Sequence, residues 1–448
     1  MRLRSLSSAL VLFTLLLAAP LAQAADTPAE QAADNYAAQQ MASHPVHGNL
    51  PDYSLPPDKL IKSQHLSKVS LTIHFADEVW GIAQLVLLLW LGVIAWMRDR
   101  AVRFSANRWL QCFAFFLLYT IAGFLLELPV ALYGHNLELE YGLSIQRWGS
   151  WFGDQAKTFA LSWIVGGLLV MLLFYIIRRA PRRWWLIFWA ASIPIVLFGV
   201  FAAPYINLLY NTFEPLQKNH SDLVAQLEKV AAKGQMDIPP DRMFLMKASE
   251  KETTLNAYVT GFGSSKRVVV WDTSLMKGTP DQVLFIFGHE SGHYVLGHIV
   301  RGLVLSLAGL FVAIGLGYLF VGWALARFGT RWRIPVQADW GALAVLLLAF
   351  SLLSAVQEPV VSFFSRQQEH AADVYGQEAI HGIVADPQTT AKTAFDVLGE
   401  NSYDDPNPNP FIQFWMYDHP AIGRRAAFAE AYNPWLPGMS PRYFKASD

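Results

Sequence analysis

The sequence predicts an all-α integral membrane protein with several spans and a small α+β domain outside the bilayer. Of its 448 residues, 53% are hydrophobic and only 15% are charged, a far more apolar balance than that of a soluble domain. Six apolar segments each come close to the roughly 20 residues that a membrane helix needs. Two regions of mixed polarity interrupt and follow these segments, and we expect them to form the extramembrane domain.

The charge and the cysteine content narrow the kinds of partner and site. The formal net charge is −1, so the chain lacks the general basicity of nucleic-acid-binding proteins, and no nucleic-acid partner is expected. The single cysteine, Cys112, excludes an internal disulfide framework and a metal site built from several cysteines. A metal would need histidine and carboxylate ligands. The partner that the composition does indicate is the lipid bilayer.

The first 24 residues have the three parts of a secretory signal peptide. Arg2 and Arg4 precede an apolar run over residues 9–21, and a small-residue motif, Ala-Gln-Ala, ends at Ala24, where we expect cleavage. The alternative is an uncleaved first membrane helix, although the run is shorter than a span requires. A polar segment over residues 25–78 follows.

The apolar segments fall into two groups. A four-span membrane region covers residues 79–210, and a two-span region covers residues 303–363. Residues 211–302 and 364–448 supply the two parts of the extramembrane domain. The expected spans are 79–97, 109–133, 159–177, 184–205, 303–323 and 340–363.

Arginine clusters predict the orientation in the membrane. They occupy the connections after the first, third and fifth spans, which the positive-inside rule places in the cytoplasm. The extramembrane domain then faces the periplasm of a bacterial inner membrane, and the basic start of the chain gives the same orientation. The alternative is a folding domain that overrides the loop charges. The arginines are Arg98, Arg100, Arg103 and Arg108; Arg178, Arg179, Arg182 and Arg183; and Arg327, Arg331 and Arg333.

Residues 211–302 are expected to contain a helix, a small β unit and the start of a second helix. Ser221 could cap the first helix, which Gly234 ends. Three short strands follow, with a turn over residues 261–265 between the last two. The sequence Thr-Pro-Asp-Gln from Thr279 has the capping-box pattern of a helix start. The expected strands are 243–246, 256–260 and 266–271.

The second helix carries the pattern His-Glu-Ser-Gly-His from His289 to His293. These two histidines are four positions apart, so they share one helix face and can bind one cation. Glu290 projects beside them and can accept a proton from a water that the cation acidifies. Two surface histidines on an amphipathic helix are the alternative. The preceding cap, the glycines within the pattern and the membrane span that follows favour the metal site.

A catalytic zinc site needs three protein ligands, so the third must come from elsewhere in the chain. Glu369 is the best candidate. Asp373 lies one helical turn later, can face the same way and can accept the free N–H of a ligating histidine. His370 is adjacent to Glu369 and points to a different side of the helix, so we do not expect it to bind the metal.

Several separated motifs together resemble the type 1 CAAX prenyl protease family, the integral-membrane gluzincins. The resemblance extends from the first spans to the region of Arg425. The motifs are Phe213-Glu214-Pro215-Leu216; Asn256-Ala257-Tyr258; Gly261-Phe262; Lys266-Arg267; Asp272-Thr273-Ser274-Leu275; Gly288-His289-Glu290-Ser291-Gly292-His293; Gly297-His298; Glu369-His370-Ala371-Ala372-Asp373; and His419-Pro420 followed by Arg425.

The resemblance implies a fold and a metal site. The implied fold is a multi-span helical barrel that encloses a chamber and is capped by a zinc metallopeptidase domain. Glu127, in the second span, could face that chamber, or it could make an interhelical hydrogen bond. One Zn²⁺ per chain is implied, with His289, His293 and Glu369 as its ligands and Glu290 as the catalytic acid/base.

The resemblance also implies groups that bind the substrate. His419 and Arg425 would hold the substrate carbonyl and the developing oxyanion, whereas from the residues alone a turn histidine and a surface-paired arginine are the alternatives. Asn256, Ala257 and Tyr258 would belong to an edge strand that pairs with an extended peptide. The alternative for these three residues is an ordinary hairpin strand.

Together these features predict a membrane-embedded zinc metalloendopeptidase that acts on membrane-associated or exported peptides and proteins. The family's named activity trims prenylated C-terminal tripeptides on the cytosolic side. Because this chain is expected to face the periplasm, CAAX cleavage would be a retained capacity. A non-catalytic scaffold or transporter, or a zinc enzyme that acts on a non-peptide bond, are the alternatives. No feature of the sequence indicates a particular oligomeric state.

Overall fold

The computed structural model describes residues 26–43, 55–261 and 266–445. The expected signal peptide therefore lies outside the described residues, as does most of the turn expected over residues 261–265. The described chain is mostly helical, with one small sheet. This composition confirms the predicted combination of a helical membrane protein with a small α+β domain.

Among the described residues, six helices are long and apolar enough to cross a membrane, as the sequence predicts. A shorter helix, α3 (Val93–Phe104), lies between the first two of them. The six are α2 (Pro57–Trp90), α4 (Arg108–Glu140), α5 (Trp148–Arg179), α6 (Trp184–Asn207), α10 (His298–Trp332) and α11 (Ala342–Ile380).

The first of these helices differs from the span expected over residues 79–97. Helix α2 begins at Pro57, within the segment expected to be polar, and ends at Trp90. Gly92 then adopts a φ of 72°, which breaks the helix before α3. The early turns of α2 escape a search for apolar runs because they pack against the extramembrane domain, where Lys59 pairs with Glu400.

The two ends of the membrane helices have different surroundings. At one end the arginine-rich connections meet: Arg98 bonds Asp339, and its Nη1 donates to the carbonyl of Arg333 at 3.0 Å. At the opposite end the start of α2 meets the end of α4, where His65 Nδ1 lies 2.6 Å from the Tyr141 hydroxyl. The extramembrane domain lies at this second end, so the protein separates its basic loops from that domain.

The extramembrane domain contains a four-stranded sheet in the order β1-β2-β4-β3. Strands β2 and β4 are parallel, and the outer pairs are antiparallel. The three expected strands form, although the second and third of them begin one residue late, at Ala257 and Arg267, and β1 was not expected. The strands are β1 (Phe213–Pro215), β2 (Met243–Met246), β3 (Ala257–Thr260) and β4 (Arg267–Trp271).

Helices surround this sheet and close the core of the domain. Helix α7 (Ser221–Lys233) ends before Gly234 as expected, but its N-cap is His220 and Ser221 is already helical. The core includes the fully buried side chains of Leu227, Phe285, Phe287 and Phe395. The other helices are α1 (Pro28–Ser43), α8 (Asp272–Lys277), α9 (Pro280–Val295), α12 (Pro387–Ser402), α13 (Pro410–Met416) and α14 (Ile422–Ala431).

The start of α9 is fixed by the expected capping box. Gln282 N donates to Thr279 Oγ1 at 3.3 Å, and Thr279 N donates to Gln282 Oε1 at 2.9 Å. These two bonds satisfy backbone donors that the first helical turn leaves free. The cap fixes the register of the helix that carries the His-Glu-x-x-His pattern.

Candidate metal centre

Helices α9 and α11 approach closely at two glycines. A Cβ atom on Gly376 would lie 2.7 Å from the backbone nitrogen of His289, and one on Gly288 would lie 3.1 Å from the Gly376 carbonyl oxygen. Only glycine allows two helix backbones to come this near. The approach brings the histidine-bearing face of α9 against the acidic turn of α11.

The structure brings together the three residues expected to bind a metal. His289 Nε2 lies 3.3 Å from Glu369 Oε2, and His293 Nε2 lies 3.3 Å from Glu369 Oε1. The two imidazole nitrogens are 3.1 Å apart. Two nitrogens and one carboxylate that converge in this way match the donor set of a catalytic zinc site. The ligand roles of these residues stay a prediction.

A carboxylate and a guanidinium lie behind the converging side chains of His289 and Glu369. Asp373 Oδ1 is 2.8 Å from His289 Nδ1, on the side of the imidazole opposite to the converging nitrogens. Arg425 holds Asp373 with two bonds, from Nε to Oδ2 at 2.9 Å and from Nη2 to Oδ1 at 2.6 Å. The same Nη2 lies 3.4 Å from Glu369 Oε2. Both carboxylates and the guanidinium are almost completely buried, so Arg425 also serves as their counter-ion.

His289 has an unusual proton affinity in these surroundings. Burial by itself lowers the pKa of His289, but the carboxylates of Asp373 and Glu369 outweigh burial and raise the pKa to about 10. A cation that binds Nε2 must therefore displace a proton. Of the two carboxylates, Glu369 would also hold the cation, whereas Asp373 stays on the far side of the imidazole.

Glu290 lies beside the converging nitrogens and is largely removed from solvent. Its Oε1 is 4.0 Å from His289 Nε2. Burial raises the pKa of Glu290 above the ordinary carboxyl value, which makes its carboxylate a stronger proton acceptor. This arrangement suits a general base.

His419 reaches the cluster from a third chain segment. Its Nε2 lies 3.3 Å from Glu369 Oε2, and its Nδ1 lies 2.8 Å from Asp418 Oδ1. The side chain is half exposed, so it borders the open side of the cluster. The sequence gives no motif that would identify Asp418 as the partner of His419, because two adjacent residues have no characteristic spacing.

His298 is a second neighbour of the cluster and lies just beyond the end of α9. It is buried, and its Nδ1 lies 3.1 Å from His293 Nδ1, the ring nitrogen that faces away from Glu369. His298 therefore lies on the side of His293 away from Glu369 and holds the imidazole of His293 in place. His293 and His298 are five positions apart and α9 ends between them, so helix periodicity does not predict their contact.

Strand β3 lies at the edge of the sheet, and α9 packs beside it. Tyr258 receives a hydrogen bond of 2.8 Å from Asn207 at the end of α6. The backbone N–H of Asn256 donates to Ser274 Oγ at 2.9 Å, and its carbonyl accepts from Trp271 N at 3.1 Å. The expected edge position is present, but both backbone groups of Asn256 are already hydrogen-bonded.

Two other predicted residues lie away from the cluster. His370 packs edge-on against Phe428, with ring centroids 4.6 Å apart, so it does not join Glu369 as a ligand. Glu127 of α4 accepts a hydrogen bond from Gln84 of α2, so of the two predicted alternatives the interhelical hydrogen bond is present.

Comparison with known proteins gives the family of the chain. The model of Peptidase family M48 matches residues 217–433. The model of the CAAX prenyl protease N-terminal region, five membrane helices, matches residues 40–211, which contain α2 to α6. The two matches meet between α6 and the extramembrane domain.

Individual relatives agree with the family models. An "Uncharacterized metalloprotease YhfN" of Bacillus subtilis (strain 168) is 33% identical over 84% of this chain and 86% of its own length. CAAX prenyl protease 1 of Saccharomyces cerevisiae is 23% identical over 81% of this chain and 84% of its own length.

A solved structure supports the fold. The crystal structure of S. mikatae Ste24p matches with a TM-score of 0.72 and 20% identity, covering 92% of this chain and 100% of that one. The predicted helical barrel with its chamber is thereby confirmed as a fold. With the family matches and the converging histidines and carboxylate, the chain belongs to peptidase family M48 and is a membrane metalloprotease.

Proposed function

We propose that this chain is a zinc metalloendopeptidase that cleaves membrane-associated or exported peptides and proteins at the periplasmic face of a bacterial inner membrane. The observation that carries the proposal is the convergence of His289, His293 and Glu369, with Glu290 beside them. Their ligand atoms all lie within 4.8 Å of one another. One Zn²⁺ per chain is the ion that this donor set fits.

The chemistry divides between the ion and the side chains around it. When bound, Zn²⁺ supplies a Lewis acid that polarises the scissile carbonyl and acidifies water. Glu290 accepts the proton of the attacking water and then passes it to the leaving amine, because the same group serves as base and acid in the two steps. The raised pKa of Glu290 suits both transfers.

His419 and Arg425 are proposed to stabilise the substrate oxygen. His419 stands on the open side of the cluster, with Asp418 holding its Nδ1, so its Nε2 can donate toward a developing oxyanion. Arg425 donates from Nε to Asp373 and from Nη2 to Glu369. Its positive charge acts on the oxyanion over a short distance in a buried, low-dielectric setting.

Strand β3 is proposed to bind the substrate as an added strand. An extended peptide would pair with the outer edge of β3, along Ala257 and Tyr258, and would run beside α9 and its histidines. Asn256 would contribute through its side chain, since Ser274 and Trp271 hold its backbone groups. Such pairing recognises the backbone of the peptide more than its side chains, so the site would accept peptides of varied sequence.

The proposed class of substrate follows from the orientation of the protein in the membrane. The arginine-rich connections and the extramembrane domain lie at opposite ends of the membrane helices, which supports a periplasmic domain. Prenylated proteins are not expected there, so exported or membrane-anchored chains are the proposed physiological substrates. CAAX-type cleavage is a retained capacity, supported by the names of relatives such as the yeast protease. A non-catalytic scaffold would not need to keep Glu290 together with all three ligands.

Peptide cleavage by purified protein tests the proposal. Wild type and Glu290→Gln are compared in detergent on an internally quenched peptide, with metal content measured on the same samples. We expect the substitution to keep the metal and to lower turnover by about 10²–10⁴-fold, because it removes the base and no ligand. Asp281→Asn, an exposed acid of the same helix, is the matched control. Equal turnover by Glu290→Gln and wild type would refute the catalytic assignment.

A further inference from the structure

A second group of metal-binding side chains lies within the membrane helices, away from the catalytic cluster. His74 and Glu78 are four positions apart on α2 and share one helix face, and Glu358 approaches them from α11. One nitrogen and two carboxylate oxygens from these residues all lie within 4.8 Å of one another. The catalytic cluster meets the same distance limit.

The contact between His74 and Glu358 is an ion pair that leaves one carboxylate oxygen of Glu358 without a partner. His74 Nε2 lies 3.1 Å from Glu358 Oε1. Both His74 Nε2 and Glu358 Oε2 are buried atoms without a hydrogen-bond partner. These two atoms, one imidazole nitrogen and one carboxylate oxygen, are therefore available to a shared cation.

The depth of this group makes its charge costly. His74 is 16 residues before the end of α2 at Trp90, and Glu358 is 16 residues after the start of α11 at Ala342. At 1.5 Å per residue both lie about 24 Å from the arginine-rich end, inside a hydrocarbon core that is about 30 Å thick. A protonated His74 neutralises one of the two carboxylates, whereas a divalent cation neutralises both.

We propose that His74, Glu78 and Glu358 bind a second Zn²⁺, which joins α2 to α11 at membrane depth. Imidazole nitrogen with carboxylate oxygens is a donor set that zinc takes at about 2.0–2.2 Å. The ion would be structural, because it links the helix that packs on the extramembrane domain at Lys59 to the helix that carries Glu369. Glu369 follows Glu358 by 11 positions, just over three full turns, so both acids lie on the same side of α11.

Metal analysis of the full-length chain in detergent tests the second site. Protein loaded with Zn²⁺ and freed of excess ion is expected to hold about two ions per chain. His74→Ala with Glu78→Gln should lower the content by one ion, and so should Glu369→Gln. Combining all three substitutions should remove both ions. These separate losses distinguish the membrane site from the catalytic one.

Controls guard against a variant that fails to fold. Glu358→Gln is nearly isosteric and should also lose one ion, while thermal unfolding and elution volume report on its structure. Glu127→Gln is the matched control, since it alters another carboxyl group of the membrane helices and leaves the three ligands intact. A wild type that saturates at one ion overturns the proposal. So does a folded Glu358→Gln chain that keeps the full wild-type content.

Discussion

Asp373 and Arg425 form a buried, two-bonded ion pair directly behind the imidazole of His289. Arg425 donates to both carboxylate oxygens, and Oδ1 is also 2.8 Å from His289 Nδ1. The carboxylate thereby fixes the orientation and the tautomer of the histidine while its own charge is compensated. Carboxylate partners of this kind raise the basicity of metal-binding histidines.

We expect Asp373→Asn to weaken Zn²⁺ binding by about 10- to 100-fold while the ligands stay in place. The asparagine keeps the size of the side chain but removes the charge that supports the imidazole. Competition with a chromogenic chelator measures the affinity, and Asp281→Asn on the exposed face of α9 is the control. Unchanged affinity in Asp373→Asn would show that Asp373 does not support the metal site.

The helix crossing at Gly376 makes a second prediction. Gly376→Ala places a methyl group 2.7 Å from the His289 backbone nitrogen, so α9 and α11 must separate. Overpacking of this kind costs about 1–3 kcal/mol, and the separation should also reduce metal affinity. Gly322→Ala on α10 is the matched control, because open space surrounds that position. Equal melting temperatures and metal contents for the two variants would argue against the close crossing.

A third prediction concerns pH and the cap of α12. Thr389 N donates to Asp386 Oδ1 at 3.0 Å, and this bond lowers the pKa of Asp386 in the folded state. Asp386→Ala should therefore reduce the free energy of unfolding by about 1 kcal/mol at neutral pH. Because the folded pKa is the lower one, the contribution is complete above the unfolded value of about 3.9 and disappears as the pH falls through the folded value.

Melting temperatures of wild type and Asp386→Ala across that pH range provide the measurement. The two curves should converge in acid. A difference that stays constant down to strongly acidic pH would mean that the carboxylate charge is not what caps the helix.

Orientation in the membrane is tested by a reporter fused after Asp448. Alkaline phosphatase folds only in the periplasm, so a periplasmic extramembrane domain predicts an active enzyme. A companion fusion within the arginine-rich connection near Arg331 should be inactive, because the positive-inside rule places that loop in the cytoplasm. An inactive reporter after Asp448 would contradict the periplasmic placement.

Much of this architecture could be predicted because each part depends on a local pattern. The six spans are visible as apolar runs, and the capping box at Thr279 and the histidine spacing from His289 to His293 are read directly from the chain. Glu369 lies beyond two spans, yet helix periodicity and family resemblance pointed to it. The structure brings it within 3.3 Å of both histidines.

The remaining features depend on contacts between distant segments. The early turns of α2 are polar because they pack on the extramembrane domain, and hydropathy cannot distinguish them from a loop. The contact of His298 with His293 arises where α9 ends and the chain turns at Gly297, which has a φ of 73°. The grouping of His74, Glu78 and Glu358 requires two helices far apart in sequence to be neighbours. Apart from the four-residue spacing of His74 and Glu78, none of these contacts has a periodic signature.

The unbroken length of α11 determines where a substrate can be cut. From Ala342 to Glu369 the helix rises about 40 Å at 1.5 Å per residue, whereas the hydrocarbon core measures about 30 Å. With the arginine-rich end at one surface of the membrane, the reactive atoms stand about 10 Å above the other, a height of about three extended residues. A chain anchored in the bilayer would therefore reach the centre with a bond only a few residues from its anchor.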